Sequence, residues 1–310
     1  MTSPLAILLP VFAMIGLGYG ARRRGVLDAT AARVLNRFVV WLALPALLFD
    51  VMARSDWAAL WQPGFIATFG LATAAVFVVV LLARLRGGRN IADASVDAIA
   101  ASYSNTAYVG LPLCLLAFGA GSQLPATIAT ILVVCVLFSV AVVLVEIGRA
   151  PGGLTARGLA AVIGRTLRNP IVLPPIVGAL FSGLGIGLPA GVETFLTLMG
   201  QAATPCALVA LGLFLADRPQ ARGRERRTPY LLAAAKLVAM PALAWWLAND
   251  VFHLAAPLAH CAVLLAALPT GTGPFMLAEF YRREAGVTST TTLVSTLGSL
   301  VTLTLLLSYA

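Results

Sequence analysis

Charge is what this 310-residue chain has least of: 11% of its residues are charged, only 12 are acidic, and 60% are hydrophobic. Soluble domains carry about a quarter charged residues, so this scarcity, with a mean hydropathy of +0.95, excludes an ordinary soluble globule. Histidine occurs twice and cysteine four times. Cys114, Cys135, Cys206 and Cys261 all lie inside apolar runs without CxxC or Cys/His spacing, so they read as small packing residues; neither a disulfide nor a metal site is expected. The chain also lacks GxSxG, HExxH and paired mid-span carboxylates, and no enzyme is expected. Its net charge of +9 lies between apolar runs rather than on a face interleaved with aromatics, which points to membrane topology and not to nucleic acid.

What is present is a series of ten apolar runs, near residues 3–21, 34–53, 64–83, 98–118, 124–145, 169–188, 194–215, 229–249, 257–278 and 288–308. Each is long enough to cross a bilayer as a helix, giving an all-α polytopic membrane protein. Arginine-rich loops alternate with arginine-poor ones, and of 21 basic residues only Arg54 and Lys236 break the alternation. The positive-inside rule then sets both termini outside the cytoplasm. The first run has Arg22, Arg23 and Arg24 after it and no basic residue before it, the reverse of a cleavable leader. Prolines recur at a near-constant offset: Pro4 with Pro170, Pro45 with Pro205, Pro63 with Pro229 and Pro112 with Pro274 are 166, 160, 166 and 162 residues apart. Two five-span repeats inverted in the membrane are expected, residues 1–147 and 169–310, joined by a cytoplasmic linker at 148–168.

Two runs carry a costly centre. Ala98 to Phe118 holds no charge, yet contains Asn105, Thr106, Gly110 and Pro112; Leu254 to Ala278 contains Pro269-Thr-Gly-Thr-Gly-Pro274. Proline removes a backbone donor, glycine loosens the helix, and an amide has no partner in hydrocarbon. Interruptions at matching places in two halves point to a transport site. Each break gathers orphan carbonyls and N–H groups at one depth, and the positive half-helix ends favour an anion. N–H groups after Gly110 and Gly271 can hold a carboxylate, with Asn105, Thr106, Thr270 and Thr272 as neutral hydrogen-bonding groups. Asn105 can equally be a cap of its own broken helix.

Four motifs, SNTAYVGLPL, ALPTGTGPFMLAEFY, NPIVLPPIVGALFSG and QAATPCALVALGLFLA, stand in an order and spacing that resembles the auxin efflux carrier family, including its bacterial permeases. The resemblance spans essentially the whole chain. It implies a secondary carrier in which spans 4 and 9 are broken and cross at mid-membrane, spans 1, 2, 6 and 7 form a scaffold, often dimeric, and spans 3–5 and 8–10 form a mobile transport domain. It also implies that Asn105 and Pro112 line the substrate site and that Pro274 is the second crossover proline. Thr270 stands where the plant carriers have glutamine, and their long central loop is absent; bacterial relatives are associated with small dicarboxylates such as malate or malonate.

Charged groups near the membrane leave roles open. Lys236 lies about 10 Å along its helix from the cytoplasmic end, where it either draws anions or snorkels to the headgroups. Asp97, Glu279 and Asp50 are candidates for coupling or solvated helix ends. No cofactor is expected, while coupling to protons or sodium stays open. The reading is an alternating-access carrier of small organic anions (malate, malonate or auxin-like acids) in a bacterial inner membrane, with the lipid bilayer and a second copy of the chain as partners. The alternatives are a sodium-coupled symporter of the bile-acid type and a non-transporting membrane sensor on a carrier fold.

Overall fold

Prolines inside apolar helices set much of the backbone geometry. The computed structural model describes residues 4–28, 30–149, 164, 168–216 and 226–309, with side chains described from 9 to 308. Among these residues every regular element is helical. In chain order the main helices are α1 (Pro4–Arg23), α2 (Ala31–Ala53), α3 (Pro63–Arg86), α4 (Ile91–Ser102), α5 (Thr106–Phe118), α6 (Ala120–Arg149), α7 (Leu173–Gly183), α8 (Ala190–Ala216), α9 (Thr228–Val251), α10 (Ala256–Ala267), α11 (Gly273–Tyr281) and α12 (Ala285–Tyr309). Six of them, α2, α3, α6, α8, α9 and α12, are long and apolar enough to cross a bilayer, and α5, α7 and α10 are shorter apolar helices. Residues 150–163 and 165–167 of the expected linker, and 217–225 of the next basic loop, lie outside the described residues.

A proline in a helix interior withholds a donor and its ring collides with the carbonyl four residues back. Three helices absorb this with a wider i→i+5 turn just upstream: Val39–Ala43 before Pro45, Thr106–Gly110 before Pro112, and Ala235–Ala239 before Pro241. Each helix continues through its proline. The expectation that Pro112 marks a break is therefore corrected. The fourth run leaves helix at Tyr103–Asn105, and Pro112 lies in the second turn of α5. The helix before the break also begins earlier than its apolar run, at Ile91, because the Asn90 side chain accepts from the Asp93 N–H and caps it.

Glycines decide which helices touch. Gly18 of α1 faces the Val209 carbonyl of α8, and Gly212 of α8 faces the Ile15 carbonyl of α1; a Cβ would stand 2.2 or 2.0 Å from those oxygens. Gly178 of α7 lies in the same way against the Phe49 carbonyl of α2, at 2.5 Å. Around Gly16, Gly20, Gly183 and Gly187 a Cβ would meet open space. Side chains such as Leu71, Val79, Leu198, Val238 and Leu305 form an exposed apolar surface that suits lipid. Ala94 to Ser102 of α4 is buried on every side, and so is Cys261 to Ala267 of α10. The two helices that lead into the breaks are thus the centre of the molecule.

Candidate functional site

A helix that stops inside a membrane leaves the carbonyls of its last turn and the N–H groups of the next first turn without helical partners. In this protein two such stops meet. Ser104 and Thr270, from the breaks after α4 and α10, pair as an antiparallel bridge. The Asn105 N–H donates to the Pro269 carbonyl at 2.9 Å, and the Gly271 N–H donates to the Tyr103 carbonyl at 3.0 Å. Each break therefore supplies the backbone partners that hydrocarbon cannot. Thr270 completes the joint: its hydroxyl donates to the Ala100 carbonyl at 2.9 Å and its N–H to the Ser295 hydroxyl of α12 at 3.0 Å.

Tyr103 lies across the second break. A Cβ on Gly271 would come within 2.9 Å of its ring and one on Gly273 within 2.6 Å, so only glycine leaves room for the ring. On its other side the ring packs edge-on against Phe138, with centroids 5.8 Å apart.

Beside the joint is a slot of about 30 Å³, room for one or two waters, lined among others by Ser104, Asn105, Thr106, Tyr108, Thr204 and Thr272. Among the described residues the buried hydroxyls of Ser104 and Thr106 have no hydrogen-bond partner. The Asn105 side chain does not cap α5; the Asn105 carbonyl accepts from Val109 at 3.2 Å and Gly110 at 3.0 Å instead. Its amide is left to the slot. The first-turn N–H groups of Ala107 and Tyr108 have no helical acceptor and give this end of α5 its positive character. Neutral donors around a positive helix end suit an anion.

Of the residues expected to bind substrate, the structure brings Asn105, Thr106 and Thr272 to the slot. Gly110 packs on Leu265 and Leu268, its N–H donates to the Asn105 carbonyl, and the Leu111 N–H donates to the Thr106 carbonyl. The N–H groups after Gly110 are thus used inside α5, because helix resumes at Thr106. Thr270 and Gly271 serve the joint, and Pro274 is buried at the start of α11. Pro112 does not line the slot.

Lys236 does not snorkel. It is fully buried, and its Nζ donates to the Ala266 carbonyl at 2.5 Å, at the negative end of α10. Asp97 is buried within α4, its Oδ2 2.6 Å from Arg84 Nε. Glu279 is half-buried near the end of α11. Asp50 pairs with Arg54 at 2.6 Å and lines a second cavity of about 200 Å³ that adjoins the slot at Leu47, Ala107, Tyr108 and Val134. Among the described residues no cluster of His, Cys, Asp and Glu could hold a metal. Residue patterns singled out neither Tyr103, Ser104 nor Tyr108, though they stand in the same stretch as Asn105, nor Thr204, which comes from α8 and shows only as the Thr-Pro of a motif.

The profile of the family described as "Membrane transport protein" matches residues 5–307. The chain belongs to this family, that of the auxin efflux carriers. The transporter is 33% identical over 312 residues, 99% of this chain and 96% of the other, to a Rhizobium meliloti (strain 1021) protein named "Putative malonate transporter". It is 26% identical over 302 residues to the "Uncharacterized transporter YfdV" of Escherichia coli (strain K12), covering 95% and 94% of the two chains. To the "Probable auxin efflux carrier component 5c" of Oryza sativa subsp. japonica it is 24% identical over 357 residues, covering 97% and 95%. These relatives are transporters, not enzymes, and the transporter is an integral membrane protein.

Proposed function

We propose that this transporter moves small organic anions, carboxylates such as malonate or malate, by alternating access, with the slot at Asn105 as its substrate site. The observation that carries this is the joint itself: two helix breaks that satisfy each other's backbone while, among the described residues, the Ser104 and Thr106 hydroxyls have no partner and the Asn105 side chain makes no cap, beside a positive helix end. One carboxylate fits the slot and the rest of a dicarboxylate has the adjoining cavity of about 200 Å³. The relative named for malonate supports the substrate class.

Within the same proposal we take the chain as ten spans in two inverted repeats of five, and the contacts support it. Ser104 and Thr270 are 166 residues apart, within the 160–166 range of the proline pairs, which supports a bridge between matching regions of two repeats. Reciprocity extends outward: α1 packs on α8 with Gly212 at Ile15, and α7 on α2 with Gly178 and Phe181 at Phe49. In this reading α1, α2, α7 and α8 form the scaffold, which also carries a homodimer, and the remaining helices form the moving domain. Both termini face away from the cytoplasm. On the cytoplasmic side Asn36 donates to the Met276 carbonyl at 3.4 Å and Asn169 to the Tyr281 hydroxyl at 2.9 Å, and Phe214 packs on Phe275. These contacts hold the moving domain to the scaffold on one side, while the cavities lie toward the other.

The test is thermal unfolding of the purified protein with malonate, malate, auxin-like acids and the neutral malonamide. A ligand that binds the folded state raises its melting temperature. A rise with carboxylates alone, absent in Asn105→Ala, is expected; no rise with any carboxylate overturns the reading.

A further inference from the structure

Arg54 is explained neither by topology nor by the crossover. With Lys236 it is one of two basic residues outside the arginine-rich loops, and Lys236 is buried against Ala266. The structure braces Arg54 on two helices. Its Nε meets Asp50 Oδ1 of α2 at 2.6 Å, and its Nη2 donates to Thr197 Oγ1 at 2.8 Å and to the Glu193 carbonyl at 3.2 Å, both on α8. The side chain is 42% exposed, and Nη1 makes no hydrogen bond among the described residues. A guanidinium held in one orientation with donors still facing water is prepared for a carboxylate.

Three cavities lead from Arg54 to the crossover. The outermost, about 250 Å³, is lined by Arg54, Glu193, Thr194, Thr197, Leu198 and Gln201. Thr197 and Gln201 also line the middle cavity of about 200 Å³, whose wall carries Asp50. The middle cavity shares its inner residues with the slot at Asn105. The lining is continuous from Arg54 inward.

We infer that Arg54 is the selectivity residue at the mouth of this route, taking the carboxylate of the incoming substrate while neutralising Asp50. Without Arg54, a bare Asp50 carboxylate stands in the wall of the middle cavity and repels each anion that passes, since charge in a low-dielectric cleft is screened less than in bulk water. This inference rests on the carboxylate reading of the Asn105 slot and adds to it where discrimination begins.

The experiment is uptake of labelled malonate into vesicles by the wild type, Arg54→Gln, Asp50→Asn, the double variant and Asn105→Ala, at low and high salt. Arg54→Gln is expected to raise KM about ten-fold at low ionic strength, the usual scale of electrostatic steering, with the loss shrinking as salt screens the charges. Asp50→Asn added to Arg54→Gln is expected to restore much of the loss, which a structural role for Arg54 does not produce. An unchanged KM in Arg54→Gln, or a double variant no better than Arg54→Gln, overturns the inference. Uptake lost in Asn105→Ala beside an unchanged KM in Arg54→Gln overturns this inference alone; a wild type that takes up no carboxylate overturns it together with the carboxylate reading.

Discussion

The two helix breaks, one after α4 and one after α10, do opposite work. Around the first, Ser104, Asn105 and Thr106 line a cavity; the Ser104 and Thr106 hydroxyls have no hydrogen-bond partner among the described residues, and the Asn105 side chain makes no cap. At the second, Thr270 is bonded to Ala100 and Ser295, and Gly271 and Gly273 exist to admit the Tyr103 ring; only Thr272 reaches the cavity. Two breaks joined by one bridge thus carry different chemistry. One break is bonded tightly enough to hold the joint, which lets the other leave costly polar groups unpaired in the membrane interior, where only a ligand or water satisfies them.

Substitutions can break this contrast, and the largest effect is expected at the structural break. Gly273→Ala forces a Cβ to within 2.6 Å of the Tyr103 ring; overpacking of this kind costs about 1–3 kcal/mol, and a lowered melting temperature together with lost uptake is expected. Ser104→Ala across the bridge removes a hydroxyl with no partner, and thermal unfolding should show no loss of stability. Asn105→Ala is expected to reduce carboxylate affinity at least about ten-fold, since a hydrogen bond to a charged group contributes about 1.5–3 kcal/mol, while leaving the melting temperature of the ligand-free protein near wild type. Thr270→Val should show the reverse pattern. It strips the Ala100 carbonyl of its donor, a penalty of about 1–3 kcal/mol, so the melting temperature falls while the folded fraction still binds carboxylate in calorimetry. The smallest effect on uptake is expected at Pro112→Ala, because Pro112 lies within α5 beyond the break; uptake close to wild type supports a break at Tyr103–Asn105, and abolished uptake contradicts it.

How much of this was legible in the chain depends on range. That the fourth and ninth runs are interrupted follows from glycine, proline and amide inside apolar sequence, a local cost no hydrocarbon can offset. Where the fourth run breaks does not follow, because the upstream wide turn Thr106–Gly110 accommodates Pro112 and helix persists past it. Thr270 looked like a ligand and is a brace, since the acceptor that claims its hydroxyl, Ala100, is 170 residues away. Lys236 read as either an anion attractor or a residue reaching for headgroups, yet the carbonyl it meets belongs to Ala266 of another helix. Tyr103 and Thr204 drew no notice for the same reason, as their place beside the slot depends on helices that pack on them from distant parts of the chain.

The sequence by itself determined the class of the protein and the apolar runs from which its helices form. With 11% charged residues and long apolar runs, a buried helical backbone is the form that satisfies its own hydrogen bonds in lipid. It determined as well that two runs would be interrupted, and its motifs were enough to identify the family. Only the tertiary structure decided which polar groups remain free. A hydroxyl or amide becomes a ligand or a strut according to whether some remote carbonyl lies within 3 Å of it, and that distance is set by helix packing, in which Gly18, Gly178, Gly212 and Gly273 let backbones and rings approach to contact.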